Sequence, residues 1–530
     1  MSTTSARRRQ YPAHESSYQV GKGFLVIGAV LELELDASLR IRRLPTIKMG
    51  VDNPDAAQLP SPEHVICILK KESAVKDVYE VISLEQTEQD GKPSFALRRS
   101  SHARSENSEN YKGLQDLLDD FGISDPPAHL QPSPQHRLHV IVSTLSGTGL
   151  STQFYDSVLA PLLEAFGLTA ASDESGQGSY HLLITQSAES VKRFSENRAV
   201  RSRSETNVEH TIVLLSGDGG VIDMLNGYAD SADTTTSPPL IAILPLGTGN
   251  ALFHSLHKGV QTAPAASDLI QGLRTLLRGK AASLPSFKAE FPAGSRTITY
   301  SETSDPGNNS TETTTDSAPI LGEQTENVTH LYGVVVASYG FHSQLVWESD
   351  TPEYRKHGAQ RFHMVAEQLL KESHAYRATV EIGRSSPSSA TANGGNGERV
   401  IEKLDRDHHT YILATTVPNL EKTFCISPAS RPLDGQLRLV HFGPVDGPKT
   451  MGIMMAAYDG GKHVDMDGVG YEEIDEIRIT THEEDARWRK VCIDGTIVEI
   501  PVGGRMVVRK EARRHLRVLV DGSTAYEVVS

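Results

Sequence analysis

A single aspartate held between glycines is the side chain of this sequence best suited to acid–base chemistry. Asp218 stands in Ser216-Gly217-Asp218-Gly219-Gly220, directly after the apolar run Ile212-Val213-Leu214-Leu215. A second run, Leu240-Ile241-Ala242-Ile243-Leu244, ends on Gly247-Thr248-Gly249-Asn250. A third, Leu138-His139-Val140-Ile141-Val142, leads into Ser146-Gly147-Thr148-Gly149. Apolar strand-like runs that end on glycines ahead of a helical pattern present backbone N–H groups to phosphates. Glycine suits such turns because a side chain would hold the phosphate away, and because positive φ is often needed. The bland alternative is a doubly wound domain with glycines at its turns and an aspartate chosen for tight-turn tolerance. Tandem glycine turns, one carrying the Asp, favour the chemical reading.

The elements that must position these turns are legible around them. The runs at 138–142, 212–215 and 240–244 read as buried strands, and His181-Leu182-Leu183-Ile184-Thr185 as another. Helical spacing follows in Val221-Ile222-Asp223-Met224-Leu225, and again from Phe154 to Phe166 through Val158, Leu159, Leu162 and Leu163.

The stretch Ser216 to Gly227 resembles the G/S-G-D-G-x-x-x-E-x-x-N-G motif of the diacylglycerol kinase, sphingosine kinase and ceramide kinase superfamily. Leu244-Pro245-Leu246-Gly247-Thr248-Gly249-Asn250 resembles its L-P-x-G-[ST]-G-N motif. Ala251-Leu252, with Ser255-Leu256 beyond, is similar to the sphingosine kinase branch. Three positions depart from the pattern: Ser143-Thr144 replace an Asn-Pro, Gly220 stands where many diacylglycerol kinases have Thr, and Asp223 replaces Glu. The segment from Ser338 to Phe362, with Gly340-Phe341 and two arginines six apart, resembles a further sphingosine and ceramide kinase signature. Ile493-Asp494-Gly495-Thr496 resembles a V-D-G-E turn, with Thr496 in place of Glu.

The resemblance implies a lipid kinase that uses ATP and Mg²⁺, with Asp218 as the base for the acceptor hydroxyl. It implies nucleotide contacts from Ser146, Gly147, Gly149, Thr185, Ser216, Gly217, Gly219, Gly247, Thr248, Gly249 and Asn250. Arg355 and Arg361 would grip the ATP phosphates, and Asp218 and Asp494 would serve the metal. Phe341, Glu348, Asp350 and Phe362 would meet the lipid, Glu348 or Asp350 replacing the usual headgroup aspartate. The acceptor it points to is a sphingoid base, with diacylglycerol or ceramide as alternatives. A catalytically weak nucleotide- or lipid-binding regulator is the reading from another class. Asp218→Asn is expected to stop turnover with little change in folding.

Length and charge bound these readings. At 530 residues the chain has room for more than one core. A net charge of −15 argues against a chain-wide nucleic-acid role. Cys67, Cys425 and Cys492 are far apart and lack metal-ligand spacing, which suits a reducing cytosol. No apolar run approaches the ~20 residues of a spanning helix, so membrane contact is expected to be peripheral and transient. Lys510, Arg513, Arg514 and Arg517 form a basic cluster that is either a solvated face or a contact for anionic headgroups.

The expected fold class is an α/β nucleotide-binding domain of the NAD kinase/diacylglycerol kinase type, then an antiparallel β-sandwich, with a β-rich N-terminal region. The expected boundaries are a disordered stretch over 1–20, the β-rich region over 21–98 and a linker over 99–136. The α/β domain then covers 137–280. The sandwich covers 281–525, with disordered insertions near 294–329 and 385–398 and a helix over 360–371.

Overall fold

The computed structural model describes residues 59–524 apart from 72–76, 90, 104–108, 145–146, 148, 172–177, 203–207, 231–236, 259–265, 301–322, 359, 386–398, 432 and 523. The polar N-terminus, the run Phe24-Leu25-Val26-Ile27 and the loop residues Ser146 and Thr148 therefore lie outside the described residues.

Four parallel strands position the site, three of them carrying the glycine turns. Leu240–Pro245 lies beside Glu209–Ser216, then His136–Val142, then Tyr180–Ile184. Glu209–Ser216 is buried from His210 to Ser216 without alternation, as a parallel strand covered on both faces requires. Its side chains still divide by the period of two. Ile212 and Leu214 enter one core with Val221, Met224 and Leu225 of the helix Asp218–Ala229. Val213 and Leu215 enter another with Phe154, Leu159 and Leu163, and with Ile270, Leu273 and Leu276 of the helix Asp268–Arg278. Because all four strands run one way, the segments after Val142, Ile184, Ser216 and Pro245 emerge at a single sheet edge. That edge is where open α/β sheets hold ligands.

The N-terminal region is a packed layer. Val65–Lys71, Val78–Gln89, Lys92–Ala103 and Gly122–Ile123 form a four-stranded sheet. Leu114 and Leu117 of the helix Glu109–Phe121 cover Val65, Ile68 and Val81 on one face. Ile66, Cys67, Ile82, Leu84 and Phe95 press the other face onto the α/β core. Arg274 fastens the two, donating to the carbonyls of Pro62 and Val65 and lying over the Phe121 ring. The expected linker over 99–136 is corrected accordingly. The third strand runs on to Ala103, and the helix has an apolar stripe that the sheet buries.

Beyond residue 280 the strands fall into two antiparallel systems. One is an eight-stranded sheet running from Glu323–Asn327 at one edge to Val469–Ile474 at the other, with Val336–Gly340 and Lys490–Ile493 at its centre. The second contains Tyr376–Ser385, Glu476–Thr481 and the 16-residue strand Arg505–Val520. Arg505–Val520 also pairs in parallel with Leu240–Pro245 through Arg517 and Val518. The C-terminal sheet is thus continuous with the nucleotide-type sheet. The expected disordered insertion over 294–329 is corrected at its two ends, since Arg296–Tyr300 and Glu323–Asn327 form a paired hairpin stem. Ile298 and Tyr300 anchor that stem by burial. Likewise Arg399–Lys403 pairs with the end of Tyr376–Ser385, flanking the expected insertion over 385–398.

The basic cluster is largely spent on structure. Lys510 pairs with Asp475, Arg514 donates to the Glu511 carbonyl, and Arg517 donates to the Pro238 carbonyl. Among the described residues no helix is long and apolar enough to cross a membrane.

Three histidines on adjacent parallel strands stack from the buried His210 and His139 out to the exposed His181. His139 lies 5.3 Å from His181 and 5.4 Å from His210, centroid to centroid. Burial, helped by Arg198, His210, His181 and Arg137, holds the pKa of His139 well below the usual value. A histidine depressed in this way gives stability that is whole above its unfolded pKa of about 6.5 and is lost as pH falls below it. Urea denaturation should therefore show stability falling on the order of 1 kcal/mol per pH unit between about pH 6.5 and 5.5. His139→Phe should reduce that slope by its own share, other buried histidines such as His257, His342 and His441 keeping theirs; an unchanged slope would remove His139 as a contributor.

Candidate active site

The turns at the sheet edge touch one another. A Cβ on Gly217 would stand 2.8 Å from the Gly247 Cα, and one on Gly147 would run into the Thr248 hydroxyl. Asn250 holds the second turn from within at φ 49°, its Oδ1 accepting from the Gly247 N–H at 3.0 Å and its Nδ2 donating to the Gly247 carbonyl at 3.0 Å. Gly249 faces the Leu420 carbonyl, 3.9 Å from where its Cβ would be. Gly220 replaces the common Thr for a local reason: a Cβ there would lie 2.6 Å from Ser216 Oγ. Gly247→Ala should accordingly be severe. Its methyl would meet Gly217 backbone and sit 2.8 Å from Asn250 Oδ1, so a cost of about 1–3 kcal/mol is expected. A melting point lowered in thermal denaturation is the outcome that checks it.

The first loop is tied down differently. Thr185 Oγ1 accepts from the Thr144 N–H at 3.0 Å, and Thr144 Oγ1 donates to the Thr185 carbonyl at 2.9 Å. The two residues therefore lock the first two strand ends together. Thr144, one of the departures from the familiar loop, takes up this bond.

Asp218 begins the helix Asp218–Ala229 and reaches across to the next one. Its two carboxylate oxygens accept from the N–H groups of Ala251, at 2.7 Å, and Leu252, at 2.9 Å. These are the first residues of the helix Ala251–Leu256 that follows the second turn. Burial raises the pKa of Asp218, and the two amide bonds oppose the rise. Asp494 sits in a left-handed turn at φ 47° and accepts from Val334 N at 2.6 Å and Val335 N at 3.1 Å, and from Val336 N. Burial pushes its carboxyl up to about 7, the amides pull it down, and the charge of Asp218 raises it again. The two carboxylates are thus electrostatic neighbours.

Two threonines without any motif signal, and two residues from inside the motif at 216–227, complete the frame. Thr415 and Thr416 donate through Oγ1, at 2.7 Å each, to the carbonyls of Val335 and Val334. Asn226 bonds both the N–H and the carbonyl of Tyr332, each at 2.9 Å, fastening the helix behind Asp218 to the strand His330–Gly333. Asp223 lies in the field of Lys192 and Glu189 on the neighbouring helical segment, and burial pushes its carboxyl to about 7.

The second group of candidates has its own network. Arg355 donates to Asp350 through Nε at 3.1 Å and Nη2 at 2.8 Å, and to the Tyr300 carbonyl through Nη1 at 3.1 Å. Arg361 lies 3.6 Å from the same aspartate, and its guanidinium stands over the Phe362 ring. Glu348 instead accepts from Gln344 at 2.6 Å and from Arg487 at 2.9 Å. Phe341 is buried and lines a small cavity with Leu369, Tyr376, Thr410 and Thr450. Glu348 and Asp350, alternatives in the sequence, thus belong to different ion pairs.

Mg²⁺ prefers hard oxygen ligands and is shared with substrate phosphates in many kinases. Asp218 and Asp494 offer carboxylate oxygens of that kind, each of which also accepts a backbone N–H. Among the described residues no group of three or more His, Cys, Asp or Glu converges on one metal. A cation here would therefore draw its remaining ligands from phosphate and water.

A parallel sheet whose glycine turns meet beside a buried carboxylate at one edge has the architecture of an open α/β ligand-binding domain. Residues 137–278 match the family model described as the diacylglycerol kinase catalytic domain. That segment is similar to the catalytic domain of the diacylglycerol kinase superfamily. No curated protein matches the chain. Similar solved structures include three from Bacillus anthracis str. Sterne. One, named a "putative diacylglycerol kinase", is 13% identical, with 73% of this chain and 96% of that chain covered and a TM-score of 0.44. Another of that name is 14% identical, with 74% and 100% covered and a TM-score of 0.44. A third, named a diacylglycerol kinase, is 11% identical, with 74% and 100% covered and a TM-score of 0.40.

Proposed function

We propose that the protein is an ATP-dependent lipid kinase of the sphingosine kinase-like branch, acting on a primary hydroxyl of a sphingoid base. The observation that carries this is the meeting of Gly217 and Gly247 beside Asp218, which gives a backbone-lined seat for phosphate next to a carboxylate. The hydroxyl oxygen attacks the γ-phosphorus, its proton passes to Asp218, and the bond to the ADP oxygen breaks. Bound Mg²⁺ would neutralise phosphate charge. The glycine turns supply N–H donors, while Arg355 and Arg361 offer planar forks to phosphate oxygens. Asp494 supports the reaction by holding the Val334–Val336 backbone. The protein meets its lipid at a membrane surface, transiently and from the cytoplasmic side, and the antiparallel strands after residue 280 form a sandwich that receives the lipid.

A second reading draws on one observation: both Asp218 oxygens already accept backbone N–H bonds. A carboxylate so engaged has fewer free lone pairs to take a proton from substrate, which suits a catalytically weak regulator that binds nucleotide or lipid. Incubation with γ-labelled ATP and, in turn, sphingosine, diacylglycerol and ceramide in mixed micelles separates the possibilities. Labelled sphingoid base supports the proposal, and labelled diacylglycerol or ceramide alone changes the acceptor. ATP bound without label in any lipid favours the regulator.

A further inference from the structure

We propose that Asp350 is a counter-ion that the ATP phosphates must displace from Arg355 and Arg361, so that it sets nucleotide affinity. This rests on the nucleotide-binding reading given above. One carboxylate serves both arginines, accepting the side-on fork of Arg355 at 3.1 and 2.8 Å and lying 3.6 Å from Arg361. That planar fork is the arrangement by which guanidinium groups also take phosphate. A carboxylate and a phosphate on the same edge would repel each other, so the two anions exchange.

Three features make Asp350 the partner that leaves. It occupies the C-cap of the helix Phe341–Ser349, its N–H bonded to the Trp347 and Glu348 carbonyls. A negative charge at a helix C-terminus is disfavoured by the helix dipole, and among the described residues its side-chain partners are Arg355 and Arg361. Its side chain is 40% exposed, which leaves room to turn into water. Arg355, by contrast, has a second anchor. Its Nη1 donates to the Tyr300 carbonyl, and Tyr300 is itself buried and fixed by the Trp347 indole N–H at 2.8 Å. The stacking of Arg361 over Phe362, 4.8 Å from the centroid, does not involve Asp350 either. The arginines therefore stay in place while the carboxylate swings away.

The test is calorimetric titration of the full chain with MgATP, inorganic tripolyphosphate and adenosine, using wild type, Asp350→Asn and Asp350→Ala. Removing an exposed ion pair of this kind should tighten ATP and tripolyphosphate roughly two- to fivefold and leave adenosine unmoved. The gain should shrink at high salt, as a screened charge effect does, and vanish in the Arg355→Gln background. A purely structural role would weaken all ligands together and would not depend on salt. Unchanged or weaker binding of ATP by both Asp350 variants, with wild type binding normally, overturns the proposal alone. Wild type that binds neither ATP nor tripolyphosphate overturns the nucleotide reading and this proposal with it.

Discussion

Asp218→Asn should lose turnover by roughly 10²–10⁴-fold, the range that general base catalysis contributes, and it should also unfold more readily than wild type. The second effect is larger than the little change in folding that the sequence suggests. Asp218 accepts from two backbone N–H groups with two separate oxygens. Asparagine has one acceptor oxygen, so its amide N–H₂ would face Ala251 N–H or Leu252 N–H, donor against donor. Leaving such a group unsatisfied costs about 1–3 kcal/mol. The two losses can be told apart by pH. Because the Asp218 pKa is raised by burial, the ionised base is lost on acidification earlier than an ordinary carboxylate would be. The kcat of wild type should therefore decline toward acid pH from above the usual carboxylate range. A kcat flat down to about pH 4.5 would show that no such base limits turnover.

Asp494→Ala should be the most destabilising single substitution near the site. It strips acceptors from three consecutive N–H groups, those of Val334, Val335 and Val336. Those residues are themselves buried, and their carbonyl partners Thr415 and Thr416 would lose a fixed target. With each buried donor worth about 1–3 kcal/mol, a total of about 3 kcal/mol or more is expected, less whatever entering water recovers. The sign of the pH dependence adds a check. A carboxyl raised to about 7 in the folded protein holds its proton more tightly than in the unfolded chain. It therefore makes wild type lose stability as pH rises from about 4 to 7. Asp494→Ala removes that loss, so the deficit of the variant should be larger at pH 5 than at pH 8 by denaturant titration. A deficit under about 1 kcal/mol would mean that the backbone is held by other means.

What the sequence made legible is what chemistry writes locally. The glycine turns could be read because strand, turn and helix follow one another within a few residues, and because Gly217 and Gly247 meet without intervening side chains. Asn226 was visible inside a motif, though its task of bonding Tyr332 was not. Asp494 was flagged by its turn, yet its partners lie about 160 positions earlier. Thr415 and Thr416 carried no signal, since threonines in a strand ordinarily mean only sheet propensity.

Composition hid other elements. The stem strands Arg296–Tyr300 and Glu323–Asn327 have polar, Thr- and Glu-rich sequences, so they resembled the loop they frame. Arg505–Val520 is hard to read as one long strand because its middle carries Arg509, Lys510 and Glu511. Those charges are met across the sheet: Arg509 pairs with Glu290 and Glu476, and Lys510 pairs with Asp475. Periodicity cannot see a partner supplied by another strand.

The measurement that bears most directly on the central claim is transfer of label from γ-labelled ATP to lipid by wild type and Asp218→Asn in parallel. Lipid should carry the label with wild type and fall to background with the variant, while the variant still binds ATP. Equal labelling by both proteins would contradict Asp218 as the base. Absence of labelled lipid with wild type, despite bound ATP, would contradict the kinase itself.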